Sequence, residues 1–342
     1  MHYSMYHYKR NYIHLCCIFF AAFASCSVTK NIPAGDALYD GAVVQIKAAN
    51  DSVKVSENEI EAELKSLLRP KPNAAILGIK YKLLMYNAAG TPTGHGFRYW
   101  LKNKLGEPPV LASGVNFDKN MQLLANRLAN RGFFKTLVTL DTSTKNKKLD
   151  AVYQATIHAR YSFNKIEYLT DSTEFGNAFN AVSKNTLLKK GNAYDLDLIK
   201  AERDRIDGSL KERGFYFFNP DYIIADADSA KGNHQVDMRM RTKKETPAKA
   251  KEVYRIGDVV VFADYKLEND TAHLAAKEQS FYTGRYHIYD PEKKFKPLVF
   301  NDVLVFKPGD IYKRSDHNLS LNRLISLGMY KFVKARFTET DS

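Results

Sequence analysis

Cysteine and tryptophan are scarce in this chain, three of one and a single copy of the other in 342 residues. Cys16 and Cys17 lie in an apolar N-terminal stretch that Cys26 closes, so the chain beyond residue 26 carries no thiol. A disulfide framework and a cysteine-built metal site are therefore excluded there, and the cores must hold by packing alone. No apolar run approaches the roughly 20 residues a spanning helix needs. No run of five or more Lys or Arg marks a nucleic-acid arm, although the formal charge is +13. The nine histidines show no ligand spacing on one helix, and no metal or cofactor is expected.

What is present begins with a basic start, Lys9 and Arg10, followed by the apolar residues 13–24. The run is too short to span a bilayer and reads as a removable signal segment, with an uncleaved anchor or an ordinary secretory signal as the alternatives. Phe23-Ala24-Ser25-Cys26 resembles the lipobox of a bacterial lipoprotein. That resemblance implies that Cys26 is lipidated and becomes the first residue of the mature chain. No acidic residue follows closely, which points to the periplasmic face of an outer membrane. Export also removes nucleic acid as a partner, leaving anionic lipid or a generally basic surface as readings of the charge.

An apolar fraction of 44% makes the chain globular, with room for two or three domains. Within it one pattern recurs three times: an amphipathic helix, leucine four residues before a glycine, then large apolar residues. The copies are Leu128-Ala-Asn-Arg131-Gly132-Phe133-Phe134, Leu210-Lys-Glu-Arg213-Gly214-Phe215-Tyr216 and Leu324-Ile-Ser-Leu327-Gly328-Met329-Tyr330. Glycine suits a left-handed C-cap, where a side chain would clash. Gly132, Gly214 and Gly328 are therefore expected as helix-to-strand corners.

The surroundings repeat as well. Strands are predicted over 38–48, 162–169 and 254–262 at the start of each unit, and over 134–140, 216–224 and 330–337 after each corner. Polar turns over 141–148 and 226–233 then lead into strands over 151–159 and 235–242. Helices are predicted over 57–68 with Ser56 as cap, 97–105, 174–183 and 195–213. Asn116, Asp195 and the Ser315-Asp316 pair supply further helix starts. The stretch 268–297 reads as an elaborated loop. The inferred unit is strand, helix, helix, strand, strand.

A β-α-α-β-β unit whose second helix ends in Leu-x-x-x-Gly-aromatic, repeated in tandem behind a periplasmic signal, resembles the POTRA domains of the Omp85 outer-membrane assembly proteins. Cys26 to Gly35 leading into Leu38-Tyr39 is similar to the opening of lipoprotein variants of the BamA/TamA type, as in Bacteroidetes. The resemblance implies an α+β fold of tandem POTRA-like modules, small mixed three-stranded sheets each backed by two helices. Boundaries are expected as signal peptide 1–25, linker 26–37, module 38–160 with a helical insertion, module 161–245, and an incomplete module 252–342. It also implies a sixteen-stranded barrel, for which the chain offers no segments; a piece of a longer protein is the expectation.

Such modules imply no catalysis. They imply a scaffold whose sheet edges pair with unfolded barrel clients or assembly subunits. Phe163, Lys165, Ile166, Tyr168, Val236 and Arg239 are the candidate strand-edge residues. The alternative is a basic periplasmic lipoprotein that binds anionic glycan or peptidoglycan through Tyr282, Tyr286, Tyr289 and Arg285. Ser315-Asp316-His317 has the residue types of a triad, but sequence neighbours diverge around a helix start. Thr93-Gly94-His95-Gly96 lacks the third glycine of a dinucleotide loop.

Overall fold

The computed structural model describes residues 28–49, 57–230, 232–264 and 277–340. Cys26 and Ser56 lie outside them. Two compact units divide between Tyr161 and Ser162.

The first unit opens with β1 (Leu38–Ala48) and α1 (Glu57–Leu67). An insertion follows, with α2 (Tyr81–Ala89) and α3 (Phe97–Trp100), which runs on into a π turn (Leu101–Leu105). Then come α4 (Phe117–Asn130), β2 (Leu137–Lys145) and β3 (Lys148–Ile157). The sheet has the order β1-β3-β2, with β3 parallel to β1 and antiparallel to β2. Asn116 caps α4 by accepting the Lys119 amide at 2.8 Å. Leu124 and Leu128 on its inner face are fully buried against Tyr39, Tyr153 and Ala155, each leucine contributing about 1.5–3 kcal/mol. Gly132, at φ +90°, ends the helix, and the Phe133 amide returns to the Leu128 carbonyl at 2.9 Å. The leucine–glycine spacing is thus the spacing of a Schellman closure, with buried Phe133 sealing it.

The second unit begins with β4 (Ser162–Leu169), α5 (Glu174–Ser183), α6 (Leu196–Lys211), β5 (Ile223–Asp228) and β6 (Gln235–Thr242), in the order β4-β6-β5. β6 is parallel to β4 and antiparallel to β5. Its interior is aromatic: Phe175 lies within 6.0 Å of Phe179, Phe215 and Phe218 by ring centroids. Gly214, at φ +97°, closes α6 as Gly132 closes α4, with the Phe215 amide returning to Leu210 at 3.2 Å.

The remainder of that unit holds β7 (Val260–Phe262), β8 (Phe281–Tyr282), β9 (His287–Tyr289), α7 (Val299–Val303) and α8 (Arg314–Ser326). Its sheet repeats the pattern, order β7-β9-β8 with β9 parallel to β7 and antiparallel to β8. Here the hairpin precedes both helices. The stretch expected to be a loop, 268–297, therefore supplies two strands. Residues 330–337, expected as a strand, form none, although Tyr330, Val333 and Phe337 pack on the core around Tyr286 and Phe300. Extended chain without a neighbouring strand cannot form a ladder.

Other limits also move. Phe215 and Phe218 fold into the core and Pro220–Tyr222 forms a 3-10 turn, so the strand expected over 216–224 starts at Ile223. The strand expected over 134–140 runs 137–145 instead. Asn146 and Lys147, both at positive φ, make a two-residue hairpin turn, and the polar stretch 141–145 joins the sheet. Lys313, not Ser315, stands at the start of α8.

The chain at or just ahead of each first strand is held alike. The Tyr39, Phe163 and Ile256 amides donate to Val110, Asn192 and Asp310 at 2.8 Å, each acceptor on the segment just before the module's last helix. The Tyr161 amide donates to the Gly132 carbonyl and the Tyr254 amide to the Gly214 carbonyl, both at 2.9 Å.

Candidate binding site: the free sheet edges

Outer strands present main-chain groups to solvent on one side, and alternation along the ladder identifies which. Because the Leu38 amide bonds the Lys147 carbonyl, odd residues of β3 face β1 and even ones face β2. The register Lys145↔Lys148 then turns the odd residues of β2 toward β3. Val138, Leu140, Thr142 and Thr144 are left with amides and carbonyls on the outer edge. Among the described residues nothing hydrogen-bonds to those amides. β2 is nine residues long and largely exposed, with one carboxylate, Asp141, along it.

The opposite edge of that sheet is covered at two places. Residues 110–112 pair with the start of β1, and Glu61 Oε1 accepts the Ile46 amide at 2.9 Å. That carboxylate occupies the place a strand would take.

In β4 the first half is likewise covered, by the exchange between Phe163 and residues 191–192. Past the bulge at Asn164, Ile166 and Tyr168 have outward main-chain groups with no partner among the described residues. A cleft of about 300 Å³ adjoins this end, lined by Leu169, Asp171, Phe175, Phe179 and Arg241 among others. Phe163 is fully buried and contributes to the core. The Tyr168 side chain turns inward, its hydroxyl donating to Glu202 Oε1 at 2.6 Å. Burial, and then that carboxylate, push the Tyr168 hydroxyl far above its usual range. Lys165 pairs with Glu167 on the exposed face.

Val236 and Arg239 do not lie on an edge. β6 is the central strand, its even residues bonded to β4 and its odd ones to β5, so its backbone is used on both sides. The hairpin partners, β2 and β5, are the outer strands. β5 is shorter and guarded, with Asp226 bonded to Arg241 at 2.8 Å and Asp228 lying 3.9 Å from Arg239. The missed signal was the parallel return of the last strand onto the first, which expels the middle strand to the rim.

The triad residue types do not converge. Ser315 donates its hydroxyl to Glu212 Oε2 at 2.6 Å, while His317 faces Tyr312 and the Phe337 ring. Tyr286 is fully buried with its hydroxyl donating to the Phe306 carbonyl, and Tyr289 packs on Phe262, so the tyrosines proposed for sugar stacking share no open face. Among the described residues no group of three His, Cys, Asp or Glu is placed to hold a metal. No described helix is long and apolar enough to cross a membrane.

No protein-family model and no curated protein matches the sequence. Solved structures are similar to it. POTRA3-5 of Haemophilus influenzae BamA is 13% identical over 90% of this chain and 92% of its own, with a TM-score of 0.41. POTRA1-3 of Omp85 from Anabaena is 11% identical over 87% and 88%, with a TM-score of 0.29. The N-terminal domain of Omp85 from Thermosynechococcus elongatus is 11% identical over 88% and 90%, with a TM-score of 0.27. By strand order and direction, the chain is a tandem of small mixed three-stranded sheets with helices, the third with its hairpin ahead of its helices.

Proposed function

We propose that this chain is the periplasmic arm of an Omp85-type outer-membrane assembly or translocation factor, and that it receives unfolded barrel proteins or partner subunits as an added strand. The observation that carries the reading is β2. A nine-residue outer strand with open main-chain groups is an aggregation hazard that proteins otherwise cover, as Glu61 covers the Ile46 amide of β1. Main-chain pairing is indifferent to client side chains, which suits a receptor of many clients. The shorter edge at Ile166 and Tyr168 is a second place for such pairing. The modules are proposed to run 38–160, 161–245 and 252–342. Lipidation at Cys26 would tether the arm to the outer membrane.

A photoreactive residue at Thr142 tests this directly. Adducts with barrel precursors at Thr142 or Lys165, and none at Arg239 on the central strand, are expected. Absence of adducts at both edge positions refutes the reading, and recovery of cell-wall fragments alone would replace it with glycan binding.

A further inference from the structure

We infer that the helical insertion of the first module, residues 70–110, is a membrane-surface element that lies in the headgroup region of an anionic phospholipid bilayer. Three observations converge on it. The first is apolar exposure. Residues 76–79 form a tight turn closed by reciprocal Ile76–Ile79 main-chain bonds at 3.0 Å, and Leu77 at its tip is 97% exposed. On α3, Phe97 is 73% exposed and stacks on Trp100, itself 46% exposed, at 5.8 Å. Neither group is covered by the module's core, which lies around Leu124 and Tyr153.

The second is charge. Residues 70–110 contain six Lys or Arg and one acidic residue, Glu107. Lys80 is consumed by its ion pair with Asp40, and Lys102 donates to the Gly90 carbonyl beside the Tyr86 ring. Lys71, Lys82, Arg98 and Lys104 remain to meet lipid phosphates. An apolar tip, an aromatic pair and flanking cations are the composition of an interfacial element, with tryptophan suited to the headgroup level.

The third is the place of the chain's beginning. The Asn87 side chain on α2 donates to the Val28 carbonyl at 3.2 Å, and Val28 packs with Ile32 on Leu83 of the same helix. Val28 stands two residues after Cys26, and two residues span at most about 7 Å. A lipid on Cys26 would bring the insertion to the bilayer surface. This third argument rests on the lipidation proposed above; the first two do not.

The test uses the chain from residue 26 with Cys26→Ser, so that no acyl chain contributes. Trp100 is the only tryptophan in the sequence, so intrinsic emission reports on this site alone. With vesicles of phosphatidylglycerol and phosphatidylcholine the expectation is a blue-shifted emission, quenching by brominated acyl chains, and flotation with the lipid. Binding should weaken in 0.5 M salt, where the screening length shrinks to a few ångströms. Leu77→Ser with Ile79→Ser should reduce partitioning at least tenfold, and each of Lys82→Gln and Lys104→Gln by about fivefold. Unshifted emission with no flotation overturns the inference, as does self-association that removes the exposed face in the absence of lipid. Mass measurement of the native chain tests Cys26 separately, so loss of the anchor reading leaves the vesicle result standing.

Discussion

The amide of Tyr254 donates to the carbonyl of Gly214 at 2.9 Å, tying the start of the third module to the corner that ends helix α6. The glycine is confined from two sides. Its φ is +97°, and a Cβ there would lie 2.7 Å from Val253 Cγ1 and 2.8 Å from Ile311 Cγ2. Arg314 adds a bond to Asp207 Oδ2 at 2.5 Å across the same joint.

Gly214→Ala should therefore cost about 2–4 kcal/mol, the left-handed penalty plus the overlap. Gly328 has φ +71° but nothing within 4 Å, so Gly328→Ala should cost only about 1–2 kcal/mol. Chemical denaturation of both variants checks the difference, and equal losses would show that the joint does not press on Gly214.

Glu202 is fully buried and accepts from Tyr168 at 2.6 Å, from Arg205 Nε and Nη2 at 2.8 Å, and from the Leu187 amide at 2.9 Å. Burial alone would raise its pKa, but these bonds, Arg205 foremost, outweigh it and hold the carboxyl below its ordinary 4.5. A depressed carboxyl stabilises above its unfolded pKa, and that contribution is lost as pH falls below 4.5. Glu202→Ala should cost about 3–5 kcal/mol at neutral pH by stranding Arg205, with less further loss in acid than the native chain. Thermal melts at pH 7 and pH 3.5 read both effects.

His317 titrates in a separate window. Burial beside the Phe337 ring lowers its pKa from the ordinary 6.5. The unfolded chain then takes up the proton first, so stability conferred by the neutral ring is present above 6.5 and declines as pH drops. His317→Gln should flatten the slope of stability between pH 7 and 5. An unchanged slope would assign it elsewhere.

Thr142→Pro removes one outward donor from β2 without breaking a bond to β3, since outer-edge amides tolerate proline. Client adducts from a probe at Thr144 should fall severalfold while the melting temperature shifts by only a few degrees. Thr142→Ala should leave both unchanged. Loss of adducts in the alanine variant as well would point to side-chain recognition instead of strand addition.

Much of the architecture was legible from spacing. β1 and β4, at 38–48 and 162–169, and α5, at 174–183, have the limits expected, because alternation, caps and the Leu-x-x-x-Gly-Phe closure act within a few residues. Phe215 read as the start of a strand because an aromatic after glycine fits a strand as well as a core. Only the packing of Phe175 against Phe215 and Phe218 distinguishes the two.

By itself the sequence determined the glycine helix ends at 132 and 214, the helix starts at Asn116 and Asp195, the lack of thiols beyond Cys26 and the basic charge, since these depend on residue type and short-range geometry. Tertiary structure alone decided which strand stands at the centre of each sheet and which lies at the rim. In the first two sheets that order depends on a parallel pairing between strands more than 60 residues apart, such as Ser162 with Gln235. It moved the candidate edge from Val236 and Arg239 to β2, and it placed the hairpin of the third module ahead of its helices.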